Sequence, residues 1–472
     1  MKKDTEMLRR LGLLSFSDGR ERVHKDLEER IHQVASEIKS ALERTGEIEV
    51  IPAEKIITSS ELAKEEAQKM ACKGIDGTLF NLSVFAFPNF QVIAAENGKG
   101  PYLFYTPTFG KLPGLGGLLA GAGSLRQVGL KCEKVYGDLS DERIVRKLLA
   151  FSRAATAFNR LKGSVFGLIG GRSIGMLTGA NDGALWHNKF GVDTEHIDQL
   201  EIIRLADQMS QESVDKAFRW MKENLGGIAF DGKKLTEETL QYQIRCYLAI
   251  KKIIQDRKLD FTAVKCHYEL SEYYVTQCLG VTFFNDPYDW DGPKEPFVFS
   301  CEADADGALT MQILKLISGK PVLFFDIRHY DQKEGLFVFC NCGGMSSWYA
   351  ERAEDPKENL KKVHLYPTIS KYAGGGAHVQ FVCKEGEITL ARLSRSLDRY
   401  EMLITKGTFK RYPLEKLKET AWEWPHAFAQ LDIESDQLIE KMNSNHLHAV
   451  EGDYVPELER VCEMLEIHPV LL

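Results

Sequence analysis

The sequence predicts an α/β protein in which two doubly wound α/β domains precede a mostly antiparallel, barrel-like β domain. Two features of the 472 residues carry this prediction. Helical and strand-like segments alternate up to residue 326, as in parallel sheets with crossover helices. Beyond that point, short strand-like runs follow one another with no helix between them, which is typical of an antiparallel barrel or sandwich.

Length and composition limit the classes of function. A chain of 472 residues exceeds a single hydrophobic core, so we expect several domains. The net charge of −8 argues against a nucleic-acid or anionic-membrane partner. No segment approaches the ~20 apolar residues that span a bilayer, and the N-terminus lacks the pattern of a secretory signal. The ten cysteines have no framework spacing, so we expect reduced thiols and a cytoplasmic protein.

The first domain is predicted over residues 1–163. Apolar positions three and four apart predict a long amphipathic helix over residues 20–44. A strand in "GEIEVIPA", a helix in "SSELAKEEAQKMACKG", a strand in "GTLFNLSVFAF" and a long helix from Ser140 to Gly163 continue the alternation. "GLGGLLAGAG" at residues 114–123 lacks the strand–glycines–helix order of a dinucleotide site. It predicts helix packing through small residues, and we expect no nucleotide cofactor.

The second domain is predicted over residues 164–317 and carries Glu302. "SVFGLIGG" begins it as a strand, and "EIIRLADQM" continues the alternation before a helix around residues 211–223. "EETLQYQIRCYLAIKKIIQDRK" predicts another helix and "FTAVKCH" another strand.

The third domain is predicted over residues 318–472. "EGLFVFCNCGG", "AHVQFVCKEGEITLARLS" and "RYEMLITKGTFKRYP" predict its strands, and "DYVPELERVCEMLEI" predicts a closing helix. Cys340 and Cys342 form a C-x-C sequence, but a zinc site needs about four ligands. Because the second pair of ligands is missing, we interpret both as ordinary strand cysteines.

Two apolar runs each end in a carboxylate: "PFVFSCE" ends at Glu302 and "KPVLFFD" at Asp326. As neighbouring parallel strands ~4.8 Å apart, they would present both side chains at the edge of the sheet where ligands bind. Carboxylates held so close repel each other unless a cation or a shared proton intervenes, and Mn²⁺ or Mg²⁺ suits oxygen ligands. Capping or solvation also explains the pair, and the helix dipole explains Asp304 and Asp306.

Histidines and tryptophans near the C-terminus add further candidates. His446 and His448 in "NSNHLHAVEGD" point the same way only if the segment is a strand; otherwise they are solvated loop residues. His329, three positions after Asp326, is a candidate for supporting a ligand. Trp424 stacks on a sugar if it is exposed, or fills the core if it is buried.

These residues together resemble the L-fucose isomerase family, which is related to the L-arabinose isomerases. "CEADADGALTMQILK" is similar to the segment with the family's metal-binding glutamate, and Asp326 follows Glu302 at the family's spacing. "SNH" resembles the segment of the third ligand and puts that role on His446, with His448 as the alternative. The resemblance implies Glu302, Asp326 and His446 as metal ligands, and Glu302 and Asp326 as catalytic groups.

Looser matches concern the substrate. In "SFSDGRERVHKDLEE", "GGRSIGML", "EWP" and "SNH", the resemblance implies four substrate-binding residues: Arg20, Met176, Trp424 and Asn445. In the family, a tryptophan of the N-terminal domain reaches into the neighbouring subunit's site, whereas this sequence offers Phe85 or Phe87. This departure leaves the identity of the sugar open.

The resemblance implies an aldose–ketose isomerase that acts on an open-chain sugar. The cation, expected to be Mn²⁺ with Mg²⁺ or Co²⁺ as alternatives, would stabilise an enediol(ate) while Glu302 and Asp326 move a proton between C1 and C2; a hydride shift is the rival route. The resemblance also implies a homo-oligomer, hexameric or trimer-based, with sites at subunit interfaces.

Three other functions stay open. The first is isomerisation of a modified sugar such as sulfoquinovose, for which Arg20, Arg22 and Arg328 are candidates to bind the anionic tail. The second is an epimerase or aldolase that uses the same metal ligands. The third is a sugar-binding module, because two α/β lobes also form a cleft.

Overall fold

The computed structural model describes residues 8–108 and 113–472. Contacts divide the chain into two compact units, Met1–Arg160 and Leu161–Leu472. The chain is a mixed α/β protein with parallel sheets and a seven-stranded, mostly antiparallel C-terminal sheet. Across the described ranges, no helix combines the length and the apolar character needed to cross a membrane.

The first unit contains a five-stranded parallel sheet in the order β2-β1-β3-β4-β5. Its strands are β1 (Arg9–Ser15), β2 (Ile48–Pro52), β3 (Gly77–Asn81), β4 (Tyr102–Thr106) and β5 (Glu133–Tyr136). Its helices are α1 (Glu21–Glu43), α2 (Ser60–Ala71), α3 (Pro88–Asn97), α4 (Gly114–Gln127) and α5 (Glu142–Leu161). The stripe predicted for α1 is buried at Ile31, Val34, Ile38 and Leu42, so burial of this face stabilises the helix on its domain.

Small residues bring α4 close to its neighbours, as the sequence predicts. A Cβ atom on Gly117 would lie 3.1 Å from the carbonyl oxygen of Val84, and one on Gly121 would overlap the side chain of Gln91. A larger side chain at either position would therefore force the helix outward. The glycines serve packing here, in agreement with the prediction from "GLGGLLAGAG".

The second unit begins with a four-stranded parallel sheet in the order β12-β9-β6-β7. The elements of this part are β6 (Val165–Ile169), α6 (Gly183–Phe190), β7 (Asp193–Ile197), α7 (Leu200–Ala206), α8 (Gln211–Asn224), β8 (Gly227–Ile228), α9 (Glu237–Arg257), β9 (Phe261–Val264), α10 (Glu269–Tyr273), α11 (Cys278–Asn285), β10 (Tyr288–Asp289), β11 (Gly292–Pro293), β12 (Phe299–Ser300) and α12 (Ala305–Ser318). The segment "EIIRLADQM", read as part of a strand–helix alternation, is largely the helix α7. Its buried Ile202, Ile203, Leu205 and Ala206 are interrupted by the exposed Arg204, and periodicity alone does not distinguish so short an apolar segment from a strand.

The C-terminal sheet contains seven strands in the order β17-β20-β13-β14-β19-β18-β21. The elements here are β13 (Leu323–Asp331), β14 (Leu336–Cys340), a 3₁₀ turn (Ser347–Ala350), α13 (Pro356–Leu360), β15 (His364–Pro367), β16 (Ala377–Gln380), β17 (Gly386–Ser396), β18 (Arg399–Phe409), α14 (Leu414–Leu417), β19 (His426–Leu431), α15 (Ser435–Lys441), β20 (His446–Glu451), α16 (Val455–Leu465) and β21 (His468–Leu471). A further antiparallel pairing of β17 with β18 closes six of these strands into a ring.

The expectation that Glu302 and Asp326 follow neighbouring parallel strands is wrong. β12 pairs with β9 in the parallel sheet, whereas β13 pairs with β14 and β20 in the antiparallel sheet. α12 connects the two sheets and is buried from Ala305 to Ile317. A buried antiparallel strand has the same continuous apolar run as a parallel one, so the sequence pattern could not separate them.

Candidate active site and metal centre

Three side chains of the second unit converge on one point. Glu302 comes from the turn after β12, Asp326 from the middle of β13 and His446 from the start of β20. Their nearest ligand atoms all lie within 4.8 Å of one another. The Nε2 atom of His446 is 3.5 Å from Oε2 of Glu302 and 3.7 Å from Oδ1 of Asp326. Glu302 and His446 are buried and Asp326 is half-buried.

Strand register brings two members of this cluster together. Asp326 and His446 are direct partners in the antiparallel pairing of β13 with β20. Side chains opposite each other in such a pair have Cβ atoms about 4.5–5.5 Å apart. The polar segment that contains His446 is therefore the beginning of a strand, and two residues far apart in the sequence, Asp326 and His446, meet through backbone pairing.

A left-handed turn presents the third member. Glu302 has φ 55° and Ala303 has φ 51°, a conformation that costs roughly 1–2 kcal/mol for each L-residue. The turn is held by hydrogen bonds from the Ala303 amide to the Val264 carbonyl (2.8 Å) and from the Asp304 amide to the Cys301 carbonyl (3.1 Å). Such strain concentrates at functional sites when the surrounding structure fixes it.

Asp304 fixes the orientation of the His446 ring. His446 Nδ1 donates to Oδ2 of Asp304 at 2.7 Å, and the guanidinium of Arg392 lies 2.5 Å from the same oxygen. Nε2 of His446 is then the nitrogen that faces Glu302 and Asp326. It is buried and has no hydrogen-bond partner within residues 8–108 and 113–472. Metal-binding histidines commonly donate their other ring N–H to a carboxylate in this way.

The cluster shifts the pKa values of its members in different directions. Burial would lower the pKa of His446, but the hydrogen bond to Asp304 and the nearby carboxylates of Glu302 and Asp326 raise it to about 10. Burial would raise the pKa of Glu302, but the neighbouring His446 imidazole lowers it overall. Burial raises the pKa of Asp326, and the negative charge of Glu302 adds to this against the charge of His446. The geometry thus favours a positive charge between the two carboxylates, which a divalent cation can supply.

Two of the four predicted substrate residues lie in other parts of the chain. Arg20 belongs to the first unit, where its Nη2 atom pairs with Oδ2 of Asp18 at 2.7 Å. Met176 is half-buried in the loop between β6 and α6. Two residues later, the carbonyl of Thr178 accepts a hydrogen bond of 2.7 Å from Arg392, which links this loop to the partner of Asp304.

The other two predicted substrate residues lie in the C-terminal part of the second unit. Asn445 is exposed, and its Nδ2 atom donates to Oδ1 of Asp326 at 2.8 Å. Trp424 is only 3% exposed, and the guanidinium of Arg328 lies 5.4 Å from its ring centroid. Stacking of a sugar on this ring would thus require Arg328 or a neighbouring side chain to move.

Two more histidines of the sequence prediction lie near the cluster without joining it. His448 is buried, with Nε2 3.3 Å from Nη1 of Arg392, and burial holds its pKa well below the usual value. His329 is exposed on β13. The structure therefore brings His446 to the two carboxylates and gives His448 a neighbouring position.

Sequence patterns did not predict the Asp304–Arg392 ion pair, and they predicted the helix-capping role of Asp304 but not its bond to His446. Asp304 does cap α12, accepting from the Gly307 amide at 2.8 Å, as expected for an acid at a helix start. Its bonds to His446 and Arg392 were not foreseen. The signal was available, because Arg392 interrupts the apolar run "ITLARL" of β17 and is only 1% exposed; a buried arginine needs a buried partner.

The chain is similar to known sugar isomerases over much of its length. A family model described as the first N-terminal domain of L-fucose isomerase matches residues 8–163. A second model, described as the C-terminal domain of L-fucose isomerase, matches residues 339–471. Together the two matches cover most of the chain, and the second includes His446.

Individual relatives agree with these models. A sulfoquinovose isomerase from Priestia aryabhattai is 25% identical over 438 residues, which cover 89% of this chain and 90% of that protein. An L-fucose isomerase from Haemophilus influenzae (strain PittEE) is 23% identical over 337 residues, which cover 58% of this chain and 57% of that protein. A solved periplasmic solute binding protein from Actinobacillus succinogenes 130z, with bound D-allose, aligns over 66% of this chain and 92% of its own at 13% identity, with a TM-score of 0.17.

Proposed function

The chain belongs to the L-fucose isomerase family and is an aldose–ketose isomerase, and on that premise we propose that it isomerises an open-chain sugar at a divalent cation held by Glu302, Asp326 and His446. The observation that carries the proposal is the convergence of three ligand atoms within 4.8 Å. Mn²⁺ is the expected cation, with Mg²⁺ or Co²⁺ as alternatives, since two carboxylates and one imidazole suit these ions.

The residues present fit such a cation. His446 Nε2 is a buried nitrogen that lacks a hydrogen-bond partner in the described part of the chain, and a ligand bond would satisfy it. Asp304 accepts the hydrogen of Nδ1 at 2.7 Å, so the ring is held in the tautomer that a metal needs. When bound, the cation supplies Lewis-acid polarisation of the sugar carbonyl.

The carboxylates of the chain perform the proton transfer in this proposal. Glu302 and Asp326 remove a proton from C1 or C2 of the sugar, which gives an enediol. They then deliver a proton to the other of these two carbons. Asn445 holds Asp326 through its 2.8 Å hydrogen bond and so limits the directions in which that carboxylate can point. A hydride shift is the rival route. Solvent deuterium at C2 of the aldose formed from the ketose would support the enediol route, whereas complete retention of the substrate hydrogen under all conditions would favour the hydride shift.

The sugar itself is a separate proposal. We favour a sugar of the L-fucose or D-arabinose type, with sulfoquinovose as the second candidate. The specific observation for the second candidate is Arg328, an exposed cation on the same strand as Asp326, whose charge acts to lower the pKa of that carboxyl against its burial. A guanidinium so close to the cluster would suit an anionic tail on the substrate.

The test is an activity screen with Mn²⁺ over L-fucose, D-arabinose, L-arabinose and sulfoquinovose. We expect interconversion of one aldose–ketose pair, and full loss of turnover with EDTA. Cleavage products or an inverted stereocentre would instead indicate an aldolase or epimerase with the same ligands. Sugar binding that persists after the metal is stripped, without turnover, would indicate a binding module.

Two further proposals concern the cellular form of the enzyme. We expect a homo-oligomer, hexameric or trimer-based, in which sites lie at subunit interfaces, because members of the family assemble in this way. We also expect a cytoplasmic enzyme, because ten cysteines without framework spacing suit a reducing compartment. Mass measurement in solution and cell fractionation test these points.

A further inference from the structure

A second cluster of metal-binding side chains contains a thiol. Ligand atoms of His267, Glu302 and Cys342 all lie within 4.8 Å of one another, and all three residues are buried. The isomerase proposal uses Glu302 alone of these three. His267 and Cys342 therefore need an explanation of their own.

The fold places two of these residues at one edge of the parallel sheet. His267 comes three residues after β9, and Glu302 two residues after β12. These strands are direct neighbours, with Phe299 paired to Thr262 and Ser300 to Ala263. In open α/β sheets, ligands bind just beyond the carboxyl ends of the strands. Cys342 reaches the same point from the end of β14 in the other sheet.

His267 has one ring nitrogen that remains unsatisfied. Its Nδ1 atom lies 3.2 Å from the hydroxyl of Ser271. Its Nε2 atom is buried and finds no hydrogen-bond partner among the residues described here, and the whole residue is only 4% exposed. A buried polar group without a partner typically costs about 1–3 kcal/mol. A bound cation would remove this cost.

A second thiol lies next to the first. Cys301 Sγ is 3.5 Å from Cys342 Sγ. Two sulfur ligands of a tetrahedral zinc ion, each bonded at ~2.3 Å, lie about 3.8 Å apart. A cavity of about 10 Å³, lined in part by His267, Cys301 and Cys342, lies beside the sulfurs. This volume is close to the space that one water molecule or ion needs.

We propose that His267, Glu302 and Cys342, with Cys301 as the neighbouring thiol, form a second site for a thiophilic divalent cation such as Zn²⁺. Thiolate and imidazole ligands select Zn²⁺ over Mn²⁺ or Mg²⁺. Binding replaces the Cys342 thiol proton by the cation. Because Glu302 belongs to both clusters, a cation here competes for the carboxylate of the isomerase site. Only this last consequence rests on the proposed function.

The test uses Cd²⁺, which binds thiolates like Zn²⁺ but gives a sulfur-to-metal charge-transfer absorption in the ultraviolet. Cd²⁺ is titrated into the full chain after metal removal and under reducing conditions. We expect an absorption band that saturates at one cation per chain. Cys342→Ser should abolish the band, whereas Cys383→Ser, which alters a buried thiol outside the cluster, should keep it.

A second variant guards against a folding defect in Cys342→Ser. His267→Gln keeps the Cys342 thiol, so the band should persist while the affinity for Cd²⁺ falls by roughly 10–100-fold or more. X-ray absorption at the zinc edge should find a sulfur neighbour at ~2.3 Å in the wild-type chain. A missing band, or a band that survives in folded Cys342→Ser, overturns the proposal.

Failure of this inference and failure of the proposed function are distinguishable. Isomerase activity is measured with Mn²⁺ before Cd²⁺ is added. Activity without a saturable band removes the thiol site and leaves the isomerase site. A band without activity on any sugar does the reverse. If both sites exist, Cd²⁺ should inhibit the Mn²⁺ enzyme, and Cys342→Ser should weaken that inhibition.

Discussion

Two clusters share Glu302: one contains His446 and Asp326, the other His267 and Cys342. They differ most in the group that lies against Nδ1 of each imidazole. His446 Nδ1 is bonded to the Asp304 carboxylate, which is itself paired with Arg392. His267 Nδ1 faces the neutral hydroxyl of Ser271. A charged partner makes the ring nitrogen a stronger ligand than a neutral one does. The same carboxylate can thus serve two cations of different chemistry, because the surroundings of the imidazoles differ and the thiols occur in only one cluster.

The carboxylates provide the strongest distinction between the clusters. We expect Asp326→Asn and Glu302→Gln each to lower the rate of isomerisation at least ~100-fold, the scale of an acid–base contribution. Only Glu302→Gln should also weaken the Cd²⁺ absorption band, since Asp326 belongs to one cluster alone. Kinetics and absorption are measured on the same preparations. Asp398→Asn, at an exposed position of the β17–β18 turn, is the control, and near-normal activity of Asp326→Asn would contradict the isomerase site.

Breaking the buried Arg392–Asp304 ion pair should strongly reduce the stability of the fold. Arg392→Met leaves Asp304 charged and buried with one partner fewer, so we expect the free energy of unfolding to fall by about 3–5 kcal/mol. Arg411 pairs with Glu385 at 2.7 Å on the surface, and Arg411→Met should change this free energy little. Urea denaturation of both variants compares the two pairs. Equal losses would mean that the Arg392–Asp304 pair gives no special support to the His446 side of the structure.

Metal affinity measures how much each imidazole depends on its hydrogen-bond partner, Asp304 for His446 and Ser271 for His267. Asp304→Asn keeps the helix cap but removes the charge behind His446, so Mn²⁺ should bind roughly 10–100-fold more weakly. Ser271→Ala removes one neutral hydrogen bond, worth about 0.5–1.5 kcal/mol, so Cd²⁺ affinity should fall less. Calorimetric titration measures both. A larger loss for Ser271→Ala than for Asp304→Asn would show that the neutral partner of His267 supports metal binding more than the charged partner of His446.

Acidification should weaken Mn²⁺ binding. Without the cation, the pKa of His446 is raised to about 10, so at lower pH the cation must displace a proton, and apparent affinity should fall about tenfold per pH unit. Acidification has the opposite effect on the stability of the metal-free fold. The raised pKa of His446 stabilises that fold fully below pH 6.5, and this contribution disappears as the pH rises towards 10. His329→Gln should keep the slope of affinity, because His329 is exposed. A flat profile in the wild-type chain would contradict this account.

Local patterns in the sequence were sufficient for most helices. The three–four spacing that predicts a helix over residues 20–44 corresponds to α1, Glu21–Glu43, and the alternation after "GTLFNLSVFAF" continues in α3 and β4, which no pattern had singled out. The partners of β12 and β13 were not predictable, since pairing depends on contacts distant in the sequence. The runs "PFVFSCE" and "KPVLFFD" read alike although they belong to different sheets.

In the candidate site, too, local patterns could not predict contacts between residues that are distant in the sequence. The carboxylates and His446 stand out because they end or begin apolar runs, and a family resemblance links them. Asp304 and Arg392 lie 88 positions apart, and nothing local connects them. Cys342 was equally hidden, because a buried thiol next to a strand looks like any other small apolar residue, and Cys342 lies just beyond β14.

The burial of α12 determines at which stage of unfolding the candidate metal site is lost. Every residue from Ala305 to Ile317 is shielded from solvent, and Asp304 caps the first turn. Amide hydrogens in such a helix exchange with deuterium only when the whole unit opens. The slowest-exchanging peptide should therefore be this one, and the anchor of His446 should persist, under heat or denaturant, until the last cooperative step of unfolding.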